Sequence, residues 1–210
     1  MLENVEVLCH SAIRINKGAT IYVDPYMIEK EYNDADYIFI THEHYDHFSK
    51  EDIDKVRKEN SIIIIPEDMR YMASEIGFKD DCICLVTPNN EYKLDGLSFK
   101  TIPAYNVNKA FHPKDKNYVG YIITIDYVSY YIAGDTDITE ENMKVVCDVA
   151  FVPVGGKYTM TCKEAAELVN TIKPKLAVPT HYGAIIGEVD DAIEFMQLIN
   201  EDILGKILIK

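Results

Sequence analysis

Residues 41–47 of this chain read Thr-His-Glu-His-Tyr-Asp-His, and half of the chain's six histidines fall within this stretch. Residues 37–40, Tyr-Ile-Phe-Ile, come directly before it and predict a short buried strand. Ser49 then opens a charged stretch that predicts a helix to about residue 59. The cluster therefore lies where a strand ends and a helix has not yet begun, the position at which open α/β sheets bind ligands.

The spacing within this stretch predicts which side chains converge. Alternate residues of an extended chain point the same way, so His42 and His44 are expected to face one point. Asp46 and His47 follow a turn and are expected to face a second point nearby. Imidazole nitrogen and carboxylate oxygen suit zinc, iron or manganese. The alternative is a solvated, histidine-rich turn, but such clustering rarely arises by accident.

Length and charge restrict the classes of function. The 210 residues, 48% of them hydrophobic, predict a single domain over 1–210 with a sizeable core. The formal net charge of −14 repels phosphate backbones and anionic lipid surfaces. We therefore expect a small-molecule substrate, with neither a nucleic-acid partner nor a membrane partner.

Cysteine usage and the N-terminus predict a cytoplasmic location. The cysteine count is odd and contains no Cys-x-x-Cys pair, which favours reduced, structural thiols. Residues 1–4 lack the basic region and apolar core of a secretory leader, and no apolar run approaches the roughly 18 residues that span a bilayer.

Short apolar runs separated by turn signals recur along the chain. Residues 95–96, Asp-Gly, predict one hairpin, and residues 118–125 and 128–132 predict another. Residues 19–23 predict a strand that ends at Asp24, which is either an Asx-type turn residue or a support for the metal ligands. This order favours two mixed sheets with helices outside them over a single parallel sheet.

The second half also contains helix signals. Residues 139–146 predict a short helix, and Thr161 with Glu164 forms a capping box for a helix that ends near Ile172. Residues 207–209 predict a final strand.

Two further predicted strand ends carry residues that bind metals. Asp135 follows an apolar run and Gly134, where the backbone can approach a ligand closely. A buried carboxylate there needs a cation, or its pKa rises until it is neutral. His181 follows residues 178–180 and precedes Gly183. Each alone is typical of an ordinary turn, but together with the first cluster they indicate ligands.

The candidate ligands are too many for one tetrahedral zinc and are typical of two metals that share a carboxylate. A water between two metals has its pKa lowered toward about 7 and becomes a hydroxide nucleophile. Such a site hydrolyses substrates without a serine, cysteine or lysine nucleophile. The candidates are His42, His44, Asp46, His47, Asp135 and His181.

These residues resemble the metallo-β-lactamase superfamily. Residues 42–47 match its His-x-His-x-Asp-His pattern in full, Asp135 matches its bridging aspartate, and His181 matches its late histidine. The resemblance extends from about residue 5 to residue 187 and is strongest to the compact branch that includes ascorbate-6-phosphate lactonase. It implies an α/β fold, a four-layer αββα sandwich that some schemes class as α+β.

One position departs from the pattern. Relatives often supply another histidine to the first metal where this chain has Asn106. Asn106 is a weak, neutral ligand, and His112, later in the same loop, is the alternative. His112 is otherwise an exposed loop residue beside Pro113. The first metal site is therefore the weaker of the two, or vacant.

The resemblance implies a metal-dependent hydrolase that acts through a metal-bound hydroxide on a small anionic substrate of lactone or phosphoester type. His42, His44 and Asp135 would hold one metal, and Asp135 would share the second with Asp46, His47 and His181. One or two divalent ions are expected, zinc before manganese or iron. Iron-binding, oxygen-reducing relatives have glutamate in place of His44, which favours hydrolysis here.

The remaining roles follow from the same resemblance. Asp46 would also be catalytic, because it would orient the hydroxide. Tyr105, Lys157, Tyr158 or His112 would bind substrate or stabilise developing charge. Related chains often assemble, so the resemblance leaves a homo-oligomer open. Two alternatives stay open: a phosphodiesterase or nuclease, and a degenerate member that binds a metal or ligand without catalysis.

Overall fold

A computed structural model describes residues 1–209 of the chain. Contacts within the chain divide it into two compact units. The first unit comprises residues 2–87, and the second comprises Met1 with the residues from 88 onward. Among residues 1–209, no helix has both the length and the apolar character needed to cross a bilayer.

The first unit is a six-stranded mixed sheet with two helices. The strands lie in the order β1 to β6; the first three are antiparallel, and β3 to β6 are parallel. Parallel strands bring their carboxyl ends to one edge, so the residues after β3 and β4 are neighbours. The elements are β1 (Val5–Cys9), β2 (Ala12–Lys17), β3 (Ala19–Val23), β4 (Ala35–Phe39), α1 (Lys50–Val56), β5 (Arg57–Pro66), α2 (Arg70–Glu75) and β6 (Ile83–Val86).

Helix α1 anchors the segment that follows β4. The Ser49 hydroxyl caps it by accepting a hydrogen bond from the Asp52 amide, as predicted. Ile53 and Val56 are fully buried in the apolar cluster on one face of the sheet. Burial of each such side chain stabilises the fold by roughly 1.5–3 kcal/mol.

The predicted helix to residue 59 is too long, because α1 ends at Val56 and the chain continues as β5. The Ser61 hydroxyl accepts a hydrogen bond from the Lys58 amide and donates one to the Ala35 carbonyl. These bonds favour extended chain over another helical turn, since they satisfy backbone groups that a helix would otherwise pair.

The second unit is a seven-stranded mixed sheet in the order β13-β12-β11-β10-β9-β8-β7. Strands β7 to β10 are antiparallel, and β10 to β13 are parallel. Helices α3 and α4 contribute to the apolar cluster on one face. The elements are β7 (Glu91–Leu94), β8 (Leu97–Pro103), β9 (Val119–Ile125), β10 (Val128–Ile132), β11 (Val149–Pro153), α3 (Cys162–Ile172), β12 (Leu176–Thr180), α4 (Val189–Leu198) and β13 (Leu204–Gly205).

Both predicted hairpins and the capping box are confirmed. Leu94 pairs with Leu97 across the first turn, and Ile125 pairs with Val128 across the second. The Thr161 hydroxyl accepts a hydrogen bond from the Glu164 amide at 3.2 Å, and the Glu164 carboxylate accepts one from the Thr161 amide at 2.8 Å.

Two predicted elements are wrong. The helix over 139–146 is a single 3-10 turn at Asn142–Lys144. The buried Asn142 side chain accepts from the Thr139 amide and donates to the Asp137 carbonyl, so it competes with helical hydrogen bonds. The final strand is Leu204–Gly205, and residues 207–209 lie outside any strand.

Candidate functional site

The first histidine cluster lies at the carboxyl ends of β3 and β4 and is organised by a buried carboxylate. Asp24, which follows β3, accepts hydrogen bonds from the Thr41 amide at 2.8 Å and the Thr41 hydroxyl at 2.6 Å. Its Oδ2 also lies 2.7 Å from His47 Nδ1. Burial raises the pKa of Asp24, and its interactions with His47 and Thr41 oppose that rise. Asp24 therefore supports the cluster, in line with one of its two predicted roles.

The contact with Asp24 determines the protonation of His47. A carboxylate accepts hydrogen bonds, so Nδ1 of His47 carries a proton, and in the neutral imidazole Nε2 then carries the lone pair. Metal-binding histidines are commonly oriented in this way by a carboxylate behind the ring. His47 Nε2 lies 3.5 Å from Oδ2 of Asp46, so the two predicted ligands of the second metal are adjacent.

The structure also brings His42 and His44 together, as their alternation predicted. His42 Nε2 lies 3.1 Å from His44 Nδ1, and the two ring centroids are 4.6 Å apart. The Thr41 hydroxyl lies 3.0 Å from the other nitrogen of His42. The His47 ring lies 4.0 Å from the His42 ring, centroid to centroid. Three imidazoles of this stretch thus converge within the first unit.

His10 belongs to this cluster although it is absent from the predicted ligand set. Its fully buried Nε2 lies 3.4 Å from Asp46 Oδ2. His10 occupies the turn between β1 and β2 with a φ of +51°, a left-handed conformation that few residues other than glycine adopt. In the sequence, the one feature that could have marked His10 as a site residue was its place in a two-residue turn between two apolar strands. Strained backbone of this kind is often found at functional sites.

The second cluster is assembled within the second unit from three separate segments. Asp135 follows β10 and His181 follows β12, and His181 Nε2 lies 3.0 Å from Asp135 Oδ2. His112 Nε2 lies 3.3 Å from the same oxygen. All three side chains are buried. Two imidazoles therefore converge on one carboxylate oxygen.

Gly155 makes room for His181. It follows β11, the strand that lies between β10 and β12 in the sheet. A Cβ at Gly155 would lie 2.5 Å from the His181 carbonyl oxygen and 3.1 Å from His181 Nδ1. His181 itself has a φ of +58°. Only glycine at position 155 permits this close approach.

Asn106 stands behind His112 and holds its ring. The Asn106 Oδ1 accepts from the His112 amide at 3.0 Å and lies 3.0 Å from His112 Nδ1. The Asn106 amide donates to the His112 carbonyl at 2.7 Å, and its Nδ2 donates to the Tyr158 carbonyl at 2.9 Å. The alternative of an exposed His112 is wrong, because its relative exposure is 1%.

These contacts bring two hydrogen-bond acceptors, His112 Nε2 and an Asp135 carboxylate oxygen, next to each other. Because His112 Nδ1 donates to Asn106, its Nε2 presents a lone pair toward the Asp135 oxygen. Two such atoms repel each other unless a proton or a cation lies between them. The donor set of imidazole nitrogens and a carboxylate fits zinc, iron or manganese.

The loop of residues 105–117, which carries Asn106 and His112, is anchored at both ends. The Tyr105 hydroxyl donates to Glu141 at 2.8 Å and accepts from Lys114 at 3.1 Å. Lys114 lies 2.9 Å from Glu141 and, with Tyr105, lowers the pKa of Glu141 to about 2. The Tyr105 hydroxyl, predicted to bind substrate, is thus engaged in anchoring this loop.

A second anchor of the 105–117 loop is the buried carboxylate of Asp137. It accepts hydrogen bonds from the Val107 amide at 2.8 Å and from the Lys109 ammonium. The Asp137 amide in turn donates to the Tyr105 carbonyl at 3.0 Å. The loop is therefore held by hydrogen bonds from its first residue onward.

The other predicted substrate-binding residues lie beside this loop. Lys157 is exposed, and its ammonium lies 5.0 Å from the centroid of the Tyr158 ring. The Phe111 ring meets Tyr158 edge to face at 4.6 Å. The Tyr158 carbonyl accepts a hydrogen bond from Asn106, so the Tyr158 backbone lies next to the residue that supports His112.

Comparisons with known proteins agree with this arrangement of motifs. Residues 4–181 match a family described as a beta-lactamase superfamily domain. The chain is 30% identical over 210 residues to a UPF0173 metal-dependent hydrolase of Thermococcus kodakarensis, covering 94% of this chain and 92% of that protein.

Solved structures show the same similarity. A metal-dependent hydrolase from Parabacteroides distasonis has a TM-score of 0.82 and 28% identity, over 98% of this chain and 93% of that one. Igni18, a metallo hydrolase from Ignicoccus hospitalis, has a TM-score of 0.78 and 22% identity, over 98% of this chain and 94% of that one. At that identity, the second similarity concerns the fold alone.

Proposed function

The chain belongs to the beta-lactamase superfamily, and on that premise we propose that it is a metal-dependent hydrolase of a small anionic substrate, of lactone or phosphoester type. Membership confirms the predicted metallo-β-lactamase fold class, with its mixed sheets and helices. The similar proteins of Thermococcus kodakarensis and Parabacteroides distasonis are themselves described as metal-dependent hydrolases.

The observation that carries the proposal is the convergence of His112 and His181 on Asp135. Two buried imidazole nitrogens lie 3.3 and 3.0 Å from one carboxylate oxygen. Asn106 Oδ1 accepts from His112 Nδ1, and in the neutral imidazole this leaves the Nε2 lone pair facing that oxygen. A divalent cation satisfies this arrangement, since it attracts all three atoms at once.

The first cluster supports the same proposal. The Asp24 carboxylate orients His47 with its Nε2 lone pair available for a cation, the usual arrangement of a metal-binding histidine. The assignment of individual ligands to one or two metals remains the one that the motif resemblance implies.

The metal and the protein side chains would have different roles in hydrolysis. When bound, a divalent metal lowers the pKa of water and polarises a carbonyl or phosphoryl oxygen. Asp46 would accept a hydrogen bond from the attacking water and orient it. Asp24 and Asn106 would hold the histidine rings in the required tautomers, and the exposed Lys157 would attract the negative charge of the substrate.

Charge favours a small substrate over a polymer. The net charge of −14 repels a long polyanion, while Lys157 provides a local positive charge beside the Tyr158 ring. Both observations support a small anion over RNA or DNA.

Metal quantification with a substrate screen tests the proposal. We expect about one to two metals per chain after gentle purification, and hydrolysis of at least one lactone, phosphodiester or thioester with zinc, manganese or iron. Less than about one metal per chain, with no hydrolysis, would favour a binding protein without catalysis.

Variants in each cluster refine this test. Asp46→Asn in the first and His181→Ala in the second should each lower metal content and abolish hydrolysis. Asp148→Asn is the control, because Asp148 precedes β11, at the opposite end of that strand from Gly155, and binds Ser129 and Lys175. If both cluster variants keep full metal content and full activity, the proposal is wrong.

A further inference from the structure

Three neighbouring side chains of the second unit form an exposed aromatic and cationic surface. Phe111 is 45% exposed, and its ring meets Tyr158 edge to face at 4.6 Å. The Lys157 ammonium lies 5.0 Å from the Tyr158 ring centroid. This group is called the Phe111 surface below.

The Phe111 surface adjoins the second histidine cluster. Phe111 directly precedes His112, whose ring nitrogen lies 3.3 Å from Asp135. The Tyr158 carbonyl accepts a hydrogen bond from Asn106, the residue that holds His112. The Phe111 surface is therefore joined through the backbone to residues that form or support the second cluster.

The exposure of Phe111 is not a result of looseness in the chain. Its neighbour His112 is buried and bonded to Asn106 through both backbone and ring. Asp137 and Glu141 hold the rest of the 105–117 loop. An aromatic ring that is kept exposed on an anchored loop costs hydration free energy, which binding of an apolar group would recover.

The charge at the Phe111 surface is uncompensated. Lys109 is paired with Asp137 and Lys114 with Glu141, whereas among residues 1–209 no carboxylate lies within ion-pair distance of Lys157. The Lys157 ammonium over the Tyr158 ring attracts a carboxylate or a phosphate, and the exposed Phe111 ring beside it offers contact to a flat or apolar group.

We infer that Phe111, Tyr158 and Lys157 form a substrate subsite for an organic anion, with the negative group on Lys157 and an aromatic or acyl body against the two rings. This inference rests on the proposed function and names its substrate class more narrowly. It excludes small inorganic anions and neutral esters as preferred ligands.

Binding of three probes to the metal-loaded protein tests the inference. The probes are phenyl phosphate, inorganic phosphate and benzyl alcohol, measured by titration calorimetry or ligand-observed NMR. Phenyl phosphate should bind at least about fivefold more tightly than either of the others, because it alone uses both the rings and the ammonium.

Variants separate the two contributions. Phe111→Ala should weaken phenyl phosphate about fivefold to tenfold and leave inorganic phosphate unchanged, since a single ring contact contributes on this scale. Lys157→Met should weaken both phosphates and leave benzyl alcohol unchanged. Metal content and thermal stability should stay at the wild-type level in both variants, because both side chains are exposed.

Matched controls come from the same unit. Tyr127 is fully exposed in the turn between β9 and β10, and Lys144 lies in the 3-10 turn. Tyr127→Ala and Lys144→Met should leave the affinity for all three probes unchanged. If Phe111→Ala changes phenyl phosphate affinity no more than Tyr127→Ala does, or if wild-type protein prefers inorganic phosphate, the inference is wrong.

Failure of this inference can be distinguished from failure of the proposed function. If the protein binds metal and hydrolyses substrate, but its KM for aromatic anions is the same in Phe111→Ala, the proposed function stands and the subsite is wrong. If the protein neither binds metal nor hydrolyses substrate, but Phe111→Ala still weakens its binding of phenyl phosphate, the subsite stands and the proposed function is wrong. The supporting result is a KM that rises about fivefold or more in Phe111→Ala while kcat changes less than about twofold.

Discussion

The two histidine clusters are built from similar side chains but supplied differently by the chain. The first draws three of its four imidazoles from the single stretch 42–47 and the fourth from His10, with a buried carboxylate, Asp24, behind His47. The second gathers its residues from three separate segments, with a neutral amide, Asn106, behind His112. A carboxylate both orients an imidazole and makes it more basic, whereas an amide mainly orients it. The first cluster should therefore be the more sensitive to loss of its supporting residue.

Removal of Asp24 should have the largest effect. Asp24→Ala leaves the Thr41 amide and the His47 ring without their acceptor, so the free energy of unfolding should fall by about 3–5 kcal/mol. Urea unfolding measures this loss. Asp36→Asn is the control in the same unit, because Asp36 pairs with the half-exposed Lys58 at the surface. If both variants unfold at the same urea concentration, Asp24 does not organise the first cluster.

Replacement of Asn106 should have the next largest effect and tests the comparison directly. Asn106→Ala removes the acceptor for the His112 ring and the donor to the Tyr158 carbonyl, which should cost about 1–3 kcal/mol and lower metal affinity about tenfold. Asn106→Asp restores an acceptor, now charged, and should bind metal more tightly than Asn106→Ala does. Histidine ¹⁵N chemical shifts should report a changed tautomer only in the alanine variant. Equal metal affinity in all three proteins would show that the amide plays no part.

Loss of the anchor at Asp137 should have a smaller effect that is confined to the second unit. Asp137→Ala removes the acceptor for the Val107 amide and the Lys109 ammonium, with an expected cost of about 1–2 kcal/mol. Hydrogen exchange should become faster in the 105–117 loop and stay unchanged in residues 2–87. Asp148→Asn serves as the control. Unchanged exchange at Val107 would contradict this role for Asp137.

Acid sensitivity should show the smallest effect, through Glu141. Its pKa is lowered to about 2 by Lys114 and Tyr105, below its ordinary value of 4.5. The native state therefore binds protons less readily than the unfolded chain, and the stabilisation present above pH 4.5 is lost as the pH falls toward 2. Glu141→Gln should lower stability slightly at pH 7 and flatten the acid part of the stability curve. Urea unfolding at pH 7 and pH 3 checks this, and an equal loss at both pH values would contradict it.

Local patterns predicted much of the fold. The turn at residues 95–96 and the capping box at Thr161 were predicted correctly, because neighbouring residues determine both. The helix over 139–146 was not, because Asn142 turns its side chain back to the Asp137 and Thr139 backbone. Helical periodicity does not reveal such competition, which depends on burial of one polar side chain.

In the candidate site too, the contacts set by local spacing were predictable and the others were not. The convergence of His42 and His44 follows from alternation in an extended chain, so it was predictable. The position of His10 on Asp46 depends on the pairing of β1 with β2, and no short spacing encodes it. Asn106 looked like a weak ligand, whereas the structure places it behind His112 as a support.

The residues of the chain alone determined its superfamily, its charge and the chemical type of its ligands, because these depend on side-chain identity and on spacings of a few residues. Tertiary structure alone decided which residue supports which ring. Asp24 meets His47 because strand pairing brings the ends of β3 and β4 together, and Asn106 meets His112 because the anchored 105–117 loop folds back on itself. The Asp24–His47 contact is long-range and the Asn106–His112 contact depends on how one loop is folded, so neither follows from a short sequence pattern.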